Sequence, residues 1–250
     1  MNNAGIIIQA RLGSTRLPKK VLKEIHPGIT MLEYMVNRIR SARSVDNIIV
    51  ATTDKDDDNP IYELCLSKGI QCFRGSEDDV LKRYYDCAKK NKLDTVVRLT
   101  ADCPLVDPFI IDECVNTLLS EKFDYFSNTC PVEESKYPDG SDVEVFSYSA
   151  LKKANENAFK KEDREHVTFY FWKNNSSMFR CGILKGNHDY SNYRYTVDYP
   201  EDFDVVSFIA EKIKEKNIQG SIFDIIKILD QNNDIKNLNS EYYAGIGWEK

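Results

Sequence analysis

An α/β fold built on a mostly parallel sheet is predicted by three features of this 250-residue chain. Short, mostly apolar runs recur along the first half; the first ends at a polar, glycine-containing loop; and the runs alternate with stretches that read as helices. Strands buried on both faces read as continuous apolar runs, so this alternation implies helices covering both sides of the sheet.

The first strand is "AGIIIQA" (4–10), and Met31, Leu32, Met35, Val36 and Ile39 mark the first helix. "NIIVATT" reads as the second strand with a helix near 58–69, and "IQCF" as the third with a helix over "EDDVLKRYYDCAKK". "DTVVRLT" is the fourth. After "ADCPLVD" comes the helix "PFIIDECVNTLLSE", with Pro108 near its start, where a missing N–H costs nothing. From about residue 123 the alternation loosens. "FDYFSNT", "DVEVFSY", "MFRCGIL" and "YRYTVDY" read as strands and "EDREHVTFYFWKN" as one helix, so a small protruding subdomain for dimerisation or acceptor binding is expected within about 123–195. Phe203, Val206, Ile209 or Ala210, and Ile213 give a further helix, and another covers 221–230. No repeat or linker interrupts residues 1–250, which read as one domain.

Composition narrows the function. A net charge of −6 argues against a general nucleic-acid binder, which needs a basic face to displace counterions. Seven cysteines without a C-x-x-C pair indicate neither a disulfide framework nor a structural zinc site, and reduced thiols fit better. Ile6–Ile8 is too short for a signal peptide, and no stretch approaches a membrane span, so a cytoplasmic protein without membrane partners is expected.

Against this acidic background, "QARLGSTRLPKKVL" (9–22) opens a run of five cations, Arg11, Arg16, Lys19, Lys20 and Lys23, with no acid before Glu24. It lacks the spacing of either familiar glycine-rich phosphate loop. Its place at a strand's carboxyl end nevertheless suits an anion, since open α/β sheets bind ligands there; the plain alternative is a solvated basic loop. Asp102 in "RLTADCPLVD" follows the fourth strand. A carboxylate there suits Mg²⁺, which takes oxygen ligands and binds through one or two carboxylates plus substrate phosphates, although a turn aspartate reads the same way locally. Asp198 in "YTVDYPEDF" is a second such carboxylate, and with Glu201 it also resembles a helix N-cap and capping box. Two aspartates facing a cationic loop together describe a metal-nucleotide site.

The ordered set "IIIQARLGSTRLPKKVL", "VATTD", "RGSEDDVLKRY", "VRLTADCPLVDP", "DGSDVEVFSYSAL", "REHVT" and "YTVDYPEDF" resembles the cytidylyltransferases of the spore-coat polysaccharide biosynthesis type. That group is similar to the synthetases that activate 3-deoxy-manno-octulosonate and sialic acids with CTP. The resemblance covers roughly residues 5–210 and implies a Rossmann-like GT-A nucleotidyltransferase fold, Mg²⁺ dependence and a homodimer. It places Arg11 and Lys20 on the triphosphate, Gly13, Ser14 and Thr15 in the loop beneath it, and Asp102 and Asp198 on the metal. Arg98 and Thr100 would line the nucleotide side, and Arg74, Ser76 and Asp79 would close over the nucleoside. Asp142, Glu144, Arg164 and His166 would face the acceptor. The chain departs from the pattern at Lys19, where the family commonly has glycine. A lone helical histidine such as His166 is also often structural.

The reading is CMP transfer from CTP to an anionic sugar or sugar-like acceptor, with pyrophosphate released. "DVEVF" sets Asp142 and Glu144 on one face, suiting a hydroxyl-rich acceptor, and the family relatives tilt this toward a 3-deoxy-keto-acid. Two alternatives stand: transfer from another NTP to a sugar 1-phosphate, and a glycosyltransferase or nucleotide-sugar binding protein of the same fold.

Overall fold

The computed structural model describes residues 2–243; the first residue and 244–250 of the expected single domain lie outside the described residues. Strand β1 (Ala4–Gln9) is followed by the basic loop and a hairpin of β2 (Glu24–His26) and β3 (Ile29–Thr30), turned by Gly28 at φ 76°. Helix α1 (Met31–Ile39) starts on a Thr30 hydroxyl cap and buries the apolar residues read from the sequence. Then come β4 (Asn47–Thr53), α2 (Asn59–Ser67), β5 (Gln71–Gly75), α3 (Val80–Lys90), β6 (Thr95–Thr100) and α4 (Pro108–Glu121), in the expected order.

The second half is β7 (Tyr125–Ser127), β8 (Glu144–Ser147), α5 (Tyr148–Asn157), α6 (Lys161–His166), α7 (Phe169–Trp172), β9 (Cys181–Ile183), α8 (Pro200–Lys216), α9 (Ile222–Asp230) and α10 (Asn233–Lys236). The main sheet has the order β5-β4-β1-β6-β8-β7-β9. Its first four strands are parallel, and β8 runs antiparallel between β6 and β7. One face packs on α1, α2, α4, α8 and α9; Ile7, Ile49 and Val96 on the other face pack against α3, α5 and α7.

Three expectations fail locally. "YRYTVDY" forms no strand: Tyr195 N bonds Asp139 O, whereas Val197 N bonds Asp102 O, so the partner changes within two residues and no ladder builds. The expected helix over "EDREHVTFYFWKN" breaks into α6 and α7 at Val167, whose φ of 59° no helix interior tolerates. The capping box at α8 lies one residue later than Asp198 and Glu201. Tyr199 is the N-cap and Asp202 the third helical residue, and the Asp202 carboxylate accepts from the backbone N–H of both Asp198 and Tyr199. Asp198 is thereby left outside the helix with its side chain uncommitted to capping.

Candidate active site

The carboxyl end of the parallel strands opens into a cavity of about 540 Å³. Strand parity decides which side chains reach it. Gln9 follows Ile7 by two, Arg98 pairs in register with Ile7, and Glu144 pairs with Arg98, so all project from the face covered by α3. A larger cleft of about 890 Å³, beside Asp107, Phe109 and Phe223, contains none of the candidate site residues read from the sequence.

The basic loop is pinned from below. Buried Asp58 accepts the backbone N–H of Leu12 at 2.7 Å and the Thr53 hydroxyl, and Ser14 accepts from Leu17 N–H at 3.3 Å. The loop turns at Lys19, which holds a left-handed φ of 57°. That conformation explains why glycine suits this position. Lys20 then enters the interior, where its Nζ donates to Asp102 Oδ2 and Asp198 Oδ1, both at 3.1 Å, and to Val197 O at 2.6 Å. Burial alone would lower the Lys20 pKa, but the two aspartates outweigh it and raise it. Conversely, burial pushes Asp102 up, and Lys20 together with a Thr100 hydrogen bond more than reverses this, holding it below the ordinary carboxylate value.

Asp198 is held from both sides. Arg16 Nη2 reaches its Oδ1 at 2.7 Å while lying over the Tyr199 ring, and Arg194 Nη2 reaches its Oδ2 at 3.3 Å. Arg194 is buried and also pairs with Asp139 and, through Nε and Nη2, with fully buried Asp202. Sequence reasoning missed Arg194 and Asp139. The available signal was alternation in the extended segment, which puts Arg194, Thr196 and Asp198 on one side.

The facing wall is acidic. Asp142 accepts from Gly140 N–H at 2.8 Å and the Thr129 hydroxyl at 2.9 Å, and burial raises its pKa. Gly140 is required here: at φ 107°, a Cβ would sit 2.4 Å from Thr196 N. Burial, with Asp142 adding to it, pushes Asp139 up to about 7 despite the pull of Arg194. Glu144 is buried between Arg98 and the Tyr125 hydroxyl, the latter at 2.8 Å. His166 closes the rim, stacked 4.4 Å from the Phe169 ring, and burial lowers its pKa. Cys103 Sγ lies among Thr100, Asp142 and Thr196, and burial raises its thiol pKa well above normal, away from a nucleophile's.

Of the residues named from the sequence, Arg11, Arg98, Thr100, Asp102, Asp142, Glu144, His166 and Asp198 line this cavity, and Lys20 bonds the two aspartates at its floor. Gly13, Ser14 and Thr15 lie in the loop beside it rather than on its wall. Four others fall elsewhere for visible reasons. Arg74 clamps Thr53 O, Lys55 O and Asn59 Oδ1. The Ser76 hydroxyl accepts from Asp79 N–H, and Asp79 caps α3. Arg164 forks onto Asp79 at 2.9 and 2.6 Å and bonds Asn155 O, so it ties α6 to α3.

Two carboxylates facing one ammonium supply oxygen donors of the kind Mg²⁺ takes. Among the described residues no group of three or more His, Cys, Asp or Glu gathers as a metal cage, so substrate phosphates would complete the shell, as is usual for Mg²⁺.

A parallel sheet with its cavity at the strand ends and cations against paired aspartates defines the chain as a nucleotidyltransferase. More narrowly, it belongs to the cytidylyltransferase family, whose sequence profile matches residues 5–243. It is 32% identical over 242 residues to the spore coat polysaccharide biosynthesis protein SpsF of Bacillus subtilis, covering 94% of this chain and 97% of that one. A solved cytidylyltransferase from Leptospira borgpetersenii serovar Hardjo-bovis superposes with a TM-score of 0.86 at 32% identity, over 95% of this chain and 98% of that one. The CTP complex of CMP:2-keto-3-deoxy-manno-octonic acid synthetase shares the fold, with a TM-score of 0.61 at 16% identity, covering 86% and 100%.

Proposed function

We propose that this enzyme transfers CMP from CTP to a hydroxyl-rich anionic sugar acceptor, of the 3-deoxy-keto-acid kind, with release of pyrophosphate. The observation that carries the reading is the polarity of one cavity, where cations and paired aspartates at one end meet the Asp139, Asp142 and Glu144 wall. Arg11 and Arg16 would neutralise the triphosphate, and Lys20 would join them when it leaves the aspartates. An Mg²⁺ ion on Asp102 and Asp198 would offset the charge of the α-phosphate and orient its oxygens. An acceptor hydroxyl then attacks the α-phosphorus in line, releasing its proton to water in the cavity as the bond to the β-phosphate breaks, and Arg11 and Lys20 stabilise the departing pyrophosphate.

Asp142 lines the cavity and would accept a hydrogen bond from the acceptor hydroxyls. Glu144 serves by fixing Arg98. With Arg164 committed to Asp79, Lys161 and His166 on the rim are the groups left to meet the acceptor's anionic end. The single-chain domain and the second copy expected from the resemblance belong to this reading.

The test is to incubate the protein and Mg²⁺ with each NTP and a panel of acceptors, measuring pyrophosphate and product mass. CTP alone should support turnover, and the product should carry one phosphate between cytidine and the acceptor. A diphosphate bridge would overturn the keto-acid assignment, and turnover with GTP alone would overturn CTP.

A further inference from the structure

Arg83 is among the largest fully buried side chains of the protein, 1% exposed, and it lines the active-site cavity from α3. Its Nη1 donates to Ser76 O at 2.6 Å, but Nε and Nη2 have no hydrogen-bond partner among the described residues, and no carboxylate pairs with it. Burying a guanidinium costs far more than burying a leucine unless something compensates it.

The contrast lies within the same chain. Arg164 and Arg194 each present the same Nε/Nη2 edge, and each closes it on both oxygens of a carboxylate, Asp79 and Asp202 respectively. The Arg83 edge closes on nothing. Nor is it free to swing out: a Cβ on Gly75 would lie 3.2 Å from Arg83 Cγ, so the stem is packed against the end of β5. Burial, with Arg11 adding to it, lowers the Arg83 pKa, although Asp58 and Glu77, which do not pair with it, pull the other way. Beside it, Gln9 Oε1 is buried without a partner and Val80 gives an apolar flank.

We propose that the Nε/Nη2 edge of Arg83 reads the nucleotide's base, donating both N–H groups to the adjacent N3 and O2 acceptors of cytosine. This rests on the CTP reading above and names the residue that enforces it. A guanidinium only donates. Cytosine offers two neighbouring in-plane acceptors, as a carboxylate does, whereas uracil places an N–H donor at N3 and adenine alternates donor with acceptor along its edge. Guanine offers an O6/N7 acceptor pair, so GTP belongs in the test. Arg16 and Lys20 grip Asp198 at the phosphate end, which leaves the Val80–Gln9 corner for a flat heterocycle.

The experiment titrates CTP, UTP, GTP and tripolyphosphate into the wild type, Arg83→Met and Arg83→Lys, with thermal unfolding of each unliganded protein. Removing a buried unpaired charge should leave Arg83→Met at least as stable as the wild type. Its CTP affinity should fall roughly ten- to a hundredfold, the worth of a bidentate base contact, while UTP and tripolyphosphate affinities change by less than about threefold. Arg83→Lys should lose CTP selectivity similarly, because one ammonium cannot span two acceptors. Equal loss for CTP, UTP and tripolyphosphate would make Arg83 a phosphate ligand and overturn the assignment, as would a wild type that prefers GTP. Collapse of both unliganded variants would overturn it in favour of a structural cation. A wild type that binds CTP while Arg83→Met binds it equally well overturns Arg83 alone, whereas a wild type that binds no CTP overturns the proposed function as well.

Discussion

Lys20 donates from Nζ to Asp102 Oδ2 at 3.1 Å, joining positions 82 residues apart in sequence, and the same ammonium meets Asp198. It therefore stands where a divalent cation would have to reach both carboxylates. Lys20→Met should leave two aspartates facing each other and cost about 1–3 kcal/mol, less than a fully buried pair because Asp102 keeps contact with solvent. It should also remove the competitor. Millimolar Mg²⁺ without nucleotide should then raise the melting temperature of Lys20→Met more than that of the wild type, although Lys20→Met turns over CTP more slowly. Equal Mg²⁺ shifts in the two proteins would show that ammonium and metal do not compete.

His166 supplies a pH signature. Burial holds its pKa below the ordinary value of 6.5. An unfolded chain takes up the proton near 6.5 and the folded chain only at lower pH, so this residue subtracts stability as the pH falls from about 6.5. The stability advantage of the wild type over His166→Gln should therefore narrow between pH 7.5 and 5.5, measured by urea unfolding. A gap independent of pH would place His166 in solvent.

These outcomes bear on what the sequence made legible. The four parallel strands and their helices were readable because each is a short, largely apolar run with a periodic partner, and Asp102 could be placed because it directly follows such a run. Asp198 was placed for a less secure reason: its strand does not exist, and its position depends on hydrogen bonds to Asp139 and Asp102 from remote parts of the chain. Arg164 and Arg74 bond within the protein, which the sequence does not show, because a cation in a matching motif looks alike whether its partner is a substrate or a protein oxygen folded against it. Nothing local in "EDREHV" reveals that Asp79, 85 positions away, will occupy that fork.

The Arg164–Asp79 fork predicts a structural phenotype. Arg164→Ala and Asp79→Ala should each destabilise the protein, because each leaves the other partner half-buried and unpaired. The double variant should lose less than the sum, with a coupling energy of about 1–3 kcal/mol in an unfolding cycle. The acceptor KM of Arg164→Lys should stay near that of the wild type. A large rise in KM with unchanged stability would return Arg164 to the acceptor site.

Lys19 gives the last prediction. Its φ of 57° puts a side-chain-bearing residue in the left-handed region, while the next residue must enter the core to reach both aspartates. An L-residue held there costs about 1–2 kcal/mol, and glycine adopts it freely but gives up about 0.5–1 kcal/mol of additional chain entropy on folding. The balance favours Lys19→Gly by up to about 1.5 kcal/mol. Its own charge is exposed and makes no ion pair among the described residues, so no contact is sacrificed. Lys19→Gly should unfold at a higher urea concentration with an unchanged slope, and CTP turnover should persist because Lys20 keeps its place. Lys19→Ala should not share the gain, since alanine retains the Cβ. If both substitutions stabilise equally, the relief comes from removing charge from a crowded cationic loop and not from the backbone conformation.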